Sequence, residues 1–301
     1  MDRTIAVGLD GSRESRAAAD WAAREAELRG LPLKIVHVWE PVPEPWNQTP
    51  LFGYETLEDR AERIPREATE RLRRHHPGVD VSMVQLPGRP AELLPRAVRE
   101  GDLLVLGSRG MSGVGGFLVG SVGQAVITHT DVPVVLVRAG ERAADEHETD
   151  LAGNPSAATA FRPVVVGVDA GSQADAVLAF AFEEADRRRA PLRAVYGWKL
   201  PFHYVYGLAV DGGLHDEVVR QKASELTEAL RPWRQKFSTV EVVEESRSGS
   251  AAAHLVEAAH AASLVVVGRQ IRHKAFGPHI GAVSHAVLHH AAAPVAVVAH
   301  D

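Results

Sequence analysis

The sequence predicts an α/β protein made of two copies of one unit, each an open, mainly parallel, doubly wound sheet with helices on both faces. Three observations carry this. Apolar runs of strand length alternate with helix-patterned segments, the second half of the chain repeats the first, and one strand of the first half runs into a glycine loop and a helix start. A short apolar run bounded by turn residues suits a strand covered on both faces, and strand–helix alternation suits parallel crossover units.

Taken in order, residues 4–9 (Thr-Ile-Ala-Val-Gly-Leu) form a strand that ends in Asp10-Gly11-Ser12. Residues 15–29 are alanine-rich, with Ala18, Trp21, Ala22, Ala26 and Leu28 at helical spacing. Residues 33–39 give the next strand, and the stretch holding Pro41, Pro43, Pro45 and Pro50 reads as a long loop. A charged amphipathic helix over 57–75, a strand over 79–86 and a short helix over 91–99 follow. The apolar run Leu103-Leu104-Val105-Leu106 stops at Gly107, and Val132-Pro133-Val134-Val135-Leu136-Val137 closes the unit.

The same order then recurs. Asp10 matches Asp169 and Pro32 matches Pro191, both at an offset of 159 (169 − 10, 191 − 32). Leu103 matches Leu264 at an offset of 161 (264 − 103), so the halves differ by two residues of loop. Between them, residues 139–160 are rich in Ala, Gly, Glu and Asp without hydrophobic period, which predicts a linker. The expected domains are 1–139 and 161–301, joined by 140–160.

Composition narrows the function classes. With 45% hydrophobic and 24% charged residues, the chain can pack a core rather than stay disordered. A net charge of −6 gives no general attraction to nucleic acid or acidic membranes. Cysteine is absent, which excludes disulfides and thiolate-bound metal. With neither a signal-peptide pattern nor an apolar run long enough to span a bilayer, a cytoplasmic protein is expected.

Six glycines lie between Gly107 and Gly120, and Ser121 and Gln124 then stand at capping-box spacing before an apolar helical segment. Glycines let backbone N–H groups approach a ligand, and a helix start adds unpaired N–H groups and a positive dipole end, so the arrangement suits an anion. Gly-Lys-Ser/Thr is missing, which excludes a Walker A loop, and Leu118 stands where the third glycine of GxGxxG belongs. What remains is Gly107-x-x-Gly110, nine residues, then Gly120-Ser121.

That spacing resembles the nucleotide-binding signature of the universal stress protein family, and the duplication resembles its tandem members over almost the whole chain. The resemblance implies two five-stranded, mainly parallel sheets paired through their last strands, with room for a homodimer. It also implies ATP, with or without magnesium, as the ligand. By resemblance Asp10 contacts the nucleoside, the backbone of Val38 faces adenine, and Gly107, Gly110, Gly120 and Ser121 carry ribose and phosphate contacts. Val122 and Gly123 add first-turn N–H groups, and Ser108 and Arg109 lie inside the cradle. Asp10 as a plain turn or N-cap residue is the competing reading.

In the second half Asp169, Gly268 and Gly281 persist, but Ile271 and Ala282 replace the second glycine and the serine. Ser284 is placed to cap a helix starting two residues later, and Arg269, Arg272, His273 and Lys274 give that loop positive charge. A degenerate copy that mainly buries partner surface is the preferred reading there. His285 and His289 share metal-ligand spacing without a third ligand and are expected to be ordinary histidines. The functional expectation is a nucleotide-responsive stress regulator with no catalytic residues. The alternatives are an ATP-dependent enzyme (a slow ATPase or adenylyl transferase) and a ligand-free interaction scaffold.

Overall fold

The computed structural model describes residues 3–41, 56–98, 103–110, 117–118, 120–171, 174–200, 212–271 and 280–301. The chain folds as two compact units, Met1–Ala143 and Ala144–Asp301. The first comprises β1 (Ile5–Gly8), α1 (Arg13–Arg29), β2 (Leu33–Trp39), α2 (Leu57–His75), β3 (Val81–Pro87), α3 (Pro90–Arg96), β4 (Leu103–Gly110), β5 (Phe117–Leu118), α4 (Ser121–His129) and β6 (Val134–Arg138). Its sheet runs in the order β3-β2-β1-β4-β6, and every neighbouring pair is parallel. Only β5, off this path, is antiparallel to its partner β4.

The second unit repeats the plan with β7 (Val164–Gly167), α5 (Asp175–Arg188), β8 (Leu192–Trp198), α6 (Gly212–Lys236), β9 (Val242–Ser248), α7 (Ala251–Ala258), β10 (Leu264–Gln270), α8 (Ala282–His290) and β11 (Val295–His300). Its strands run β11-β10-β7-β8-β9, again all parallel.

Burial explains the strand composition. Ile5, Val7, Leu33, Ile35, Leu104 and Val105 are fully enclosed, as are Val164, Val165 and Val166 of the second unit. Helices cover both faces of such sheets, so successive residues are apolar instead of alternating with polar ones. The core face of α1 is mostly alanine, with Trp21 as its one large apolar side chain, so the helix axis lies close to the strands. Its ends follow local chemistry: the Ser12 hydroxyl accepts from Ser15 N–H, and Gly30 takes a left-handed φ of 63° to end the helix. The α2 bounds are those expected from its amphipathic period, and Thr56 and Asp59 form a reciprocal capping box at its start.

Element ends shift by one to three residues, as where α3 stops at Arg96 rather than Arg99, and two shifts concern the strands nearest the expected sites. The run from Gly107 is not loop from its first residue, because β4 continues to Gly110 and pairs with β5 through Arg109 opposite Leu118 and Gly110 opposite Phe117. Arg269, expected in a charged loop, is a β10 residue at 4% exposure. Residues 143–162 carry local structure: a 3-10 turn at Ala143–Glu146, then antiparallel bridges between His147 and Phe161 and between Thr149 and Pro155. The proline-punctuated stretch after Pro41 and both aromatic groups read from the sequence (Trp46, Phe52 and Tyr54; Phe202, Tyr204 and Tyr206) lie outside the described residues.

Candidate functional site

The strand order of the first unit reverses direction at β1: the chain steps outward through β2 and β3, then crosses back to β4 on the other side. Helices therefore leave the carboxyl ends of β1 and β4 toward opposite faces, and a crevice opens between them, where open α/β sheets bind ligands. A cavity occupies this place, lined among others by Asp10, Val38, Gly107, Gly120, Ser121, Val122 and Gly123. Seven of the nine first-half site residues expected from the sequence thus meet around one space. The other two, Arg109 and Gly110, are the last two residues of β4.

The β1 side of the cavity is built around Asp10. Its Oδ1 accepts from the Ser12 N–H at 2.9 Å and from the Ser12 hydroxyl at 2.6 Å. Ser15, at 4% exposure, accepts from the Asp10 N–H at 3.3 Å and donates to the Ser12 carbonyl at 3.2 Å. The turn reading of Asp10 is therefore realised in part, with Ser12 rather than Asp10 as the cap. Burial by itself raises the Asp10 pKa, but the Ser12 and Ser15 donors outweigh it and hold the carboxyl below its ordinary range. The group is a fixed carboxylate acceptor at the strand end. Glu14 adds a second acid to the same wall.

The β4 side is built around missing side chains. A Cβ on Gly107 would lie 2.5 Å from the Glu14 carbonyl carbon and 2.6 Å from the Ser15 nitrogen, so only glycine lets the first turn of α1 close onto the strand. Also in the lining, α4 begins with Gly120 as its N-cap (φ −61°, ψ 159°) and no side-chain cap. This corrects the expected capping box. Ser121 is the first helical residue, and the N–H of Gln124 bonds instead to the Gly120 carbonyl at 3.0 Å. The uncapped first turn leaves its amides open toward the cavity, with Ser121 exposed at the rim. Ser108 is corrected too: it is 1% exposed, and its hydroxyl donates to the Val137 carbonyl at 3.2 Å, away from the cavity lining.

The lining thus combines the acids Asp10 and Glu14 and the first-turn residues of α4 with the apolar side chains of Val36, Val38, Leu94 and Leu106. Sequence reading missed Ser12, Glu14 and Ser15. The available signal was the Ser12-x-x-Ser15 cap spacing directly after Asp10, which places the start of α1 beside the acid.

The second unit keeps the crevice and changes its lining. Asp169, Gly268 and Gly281 meet in a cavity of about 400 Å³, against about 190 Å³ in the first unit. Asp169 accepts from the Gly171 N–H at 3.1 Å, but Gly171 and Ala174 stand at the positions of Ser12 and Ser15, so the acid has lost both hydroxyl partners. The imidazole of His300 approaches the Cβ position of Gly268 to 2.8 Å, and Val177 to 3.2 Å. Ser284 is not a cap: α8 starts at Ala282 behind Gly281, and the Ser284 hydroxyl donates to the Gly268 carbonyl at 2.6 Å. Arg272, His273 and Lys274 lie outside the described residues. On α8, the Nε2 atoms of His285 and His289 are 3.3 Å apart. No group of three metal-ligating side chains occurs among the described residues, and none of the helices searched among them is long and apolar enough to cross a membrane.

Comparison with known proteins gives the same picture. The chain is 31% identical to the universal stress protein Rv2005c of Mycobacterium tuberculosis, covering 97% of this chain and 96% of that protein. A universal stress protein of Mycolicibacterium smegmatis is also 31% identical, covering 98% and 96%. The crystal structure of a universal stress protein from Archaeoglobus fulgidus superposes with a TM-score of 0.67 at 17% identity, covering 99% of this chain and 98% of that one, which supports the fold. The sequence profile of the Universal stress protein family matches residues 1–138 and again 160–299, so the chain belongs to that family and carries its domain twice.

Proposed function

We propose that the protein binds ATP in the crevice of its first unit and acts as a nucleotide-responsive stress regulator. One observation carries the reading: the lining of the cavity at the β1/β4 switch point brings acids and an uncapped helix start together. A nucleotide has the matching polarity, with hydroxyl and amino donors on the nucleoside and anionic oxygens on the phosphates. Asp10 accepts from the nucleoside, Val38 packs against the base, and Gly120, Ser121, Val122 and Gly123 present N–H groups to phosphate. Gly107, Arg109 and Gly110 set the path of β4 beneath the phosphates. Magnesium would enter with the nucleotide as the phosphate counter-ion.

In the second unit, His300 and Val177 crowd the backbone at Gly268, and Asp169 lacks the serine framework of Asp10. This supports a single nucleotide per chain, held in the first unit. Binding would shift the population of a signalling form. Calorimetry with ATP tests the reading. The wild-type chain should bind one equivalent, and Gly120→Val together with Ser121→Val should abolish binding while the circular dichroism spectrum is kept. Undiminished binding in that variant would remove the site assignment.

A further inference from the structure

A second cavity of the first unit, about 350 Å³, lies between α1 and α2, beyond the turn that follows β1. Leu9, Gly11, Ile64 and Ala68 supply its apolar surface, and its charged rim is arginine: Arg16 from α1, and Arg60, Arg63 and Arg71 from α2. The three α2 arginines fall at spacings of three and eight, so with Glu67 they form one stripe along the helix. Like charges gathered on one helix face repel, and such a stripe is costly without counter-charge.

The counter-charge present is incomplete. Glu67 pairs with Arg63 at 3.1 Å, and Asp20 pairs with Arg71 at 2.5 Å. Arg16 and Arg60 have no ion pair among the described residues, and both are exposed. The second terminal nitrogen of Arg71 is shut off from solvent without a hydrogen-bond partner. The groove thus gathers four guanidinium groups around one lining carboxylate, in a chain whose net charge is −6. Guanidinium forks match phosphate oxygens in pairs, and the space is at the lower end of small-ligand sites, on the order of 300 Å³.

We propose that this groove is a second anion site of the protein, for a small phosphorylated molecule carrying at least two negative charges. Arg16 and Arg60 clamp the anion from the two helices, with Arg63 and Arg71 adding positive charge to the rim. The site does not depend on the nucleotide reading. Arg16, Arg60, Arg63 and Arg71 are outside the lining of the nucleotide crevice, and α1 presents Ser12, Glu14 and Ser15 to one cavity and Arg16 to the other.

Inorganic pyrophosphate titrated into the full chain at low salt tests this, read by the arginine side-chain Nε–H signals in NMR and by calorimetry. The Arg16 and Arg60 signals should shift saturably in the wild type and equally in Gly120→Val, whose lesion is in the other cavity. Arg16→Gln with Arg60→Gln should weaken this binding step by about ten-fold or more, as expected for loss of charge-assisted pairs, and leave ATP binding unchanged. The proposal is overturned if those signals do not saturate at millimolar pyrophosphate, if the double variant binds like wild type, or if Gly120→Val removes the shifts. Failure of ATP binding alone would strike the nucleotide reading and leave this site standing.

Discussion

Gly107 of β4 and Ser15 of α1 are in backbone contact: a single methyl group on the glycine would lie 2.6 Å from the serine nitrogen. Ser15 is also the residue that accepts from the Asp10 N–H, so the absence of one side chain sets the position of the acid wall of the crevice. Gly107→Ala should push the first turn of α1 off the strand. Backbone is a poor cushion for such overlap, and a loss of about 1–3 kcal/mol is expected from overpacking of this kind. Urea denaturation measures that loss, and calorimetry should show weaker ATP binding in the molecules that remain folded.

Asp10 predicts a pH dependence. Its carboxyl is held below the ordinary range because the Ser12 and Ser15 donors outweigh the opposing effect of burial. A carboxylate depressed in the folded state adds stability that is fully present above its unfolded pKa of about 3.9, and this is lost as pH falls through the lower folded value. Asp10→Asn should therefore be less stable than wild type at pH 6, and the gap should close on acidification below about pH 4. A gap independent of pH, in urea melts from pH 6 to pH 3, would contradict the role of the charge.

Glu184 and Arg188 on α5 form an ion pair with 1% and 0% side-chain exposure, and the guanidinium lies 5.8 Å from the centre of the Phe161 ring. Phe161 in turn packs on His147 with ring centres 4.0 Å apart, so the pair anchors the bridged segment that precedes β7. Removing one partner of a buried pair leaves the other charge without it, at a cost of about 3–5 kcal/mol. Glu184→Ala should lose that much in denaturant melts and expose residues 147–161 to limited proteolysis. Glu184→Leu with Arg188→Met should recover most of the stability.

Ser284 at 5% exposure ties the first turn of α8 to the end of β10 through the Gly268 carbonyl. Ser284→Ala removes the donor and leaves that carbonyl short of a partner, which costs about 1–3 kcal/mol for a buried group. A loss of thermal stability with ATP binding unchanged is the expected outcome, since the residue belongs to the second unit. Differential scanning calorimetry with and without ATP checks both halves of this statement.

Strand and helix identities were legible in the sequence because their causes are local. A strand covered on both faces must be apolar at every position, as at Ile5–Gly8 and Val164–Gly167. The helix at Leu57–His75 carries its own period and capping box. The candidate site was legible to the extent that its signature lay in one stretch: Gly107, Gly120, Ser121, Val122 and Gly123 were named from spacing, and all line the crevice. Features made by pairing were not legible. The end of β4 is decided by its antiparallel pairing with Phe117–Leu118, and Ser108 and Arg269 are buried because strand pairing carries β4 and β10 past their expected ends.

The order of residues alone determined that this chain folds twice in the same way and where glycine stands along β4 and before α4. Periodicity and duplication are written along the backbone, and each residue contributes to them without reference to distant ones. Tertiary structure alone decided that Glu14 and Ser15 pack against Gly107 at one cavity, and that arginines on separate helices share another. Those relations depend on which strands become neighbours, and that is fixed by packing over the whole unit rather than by any single segment.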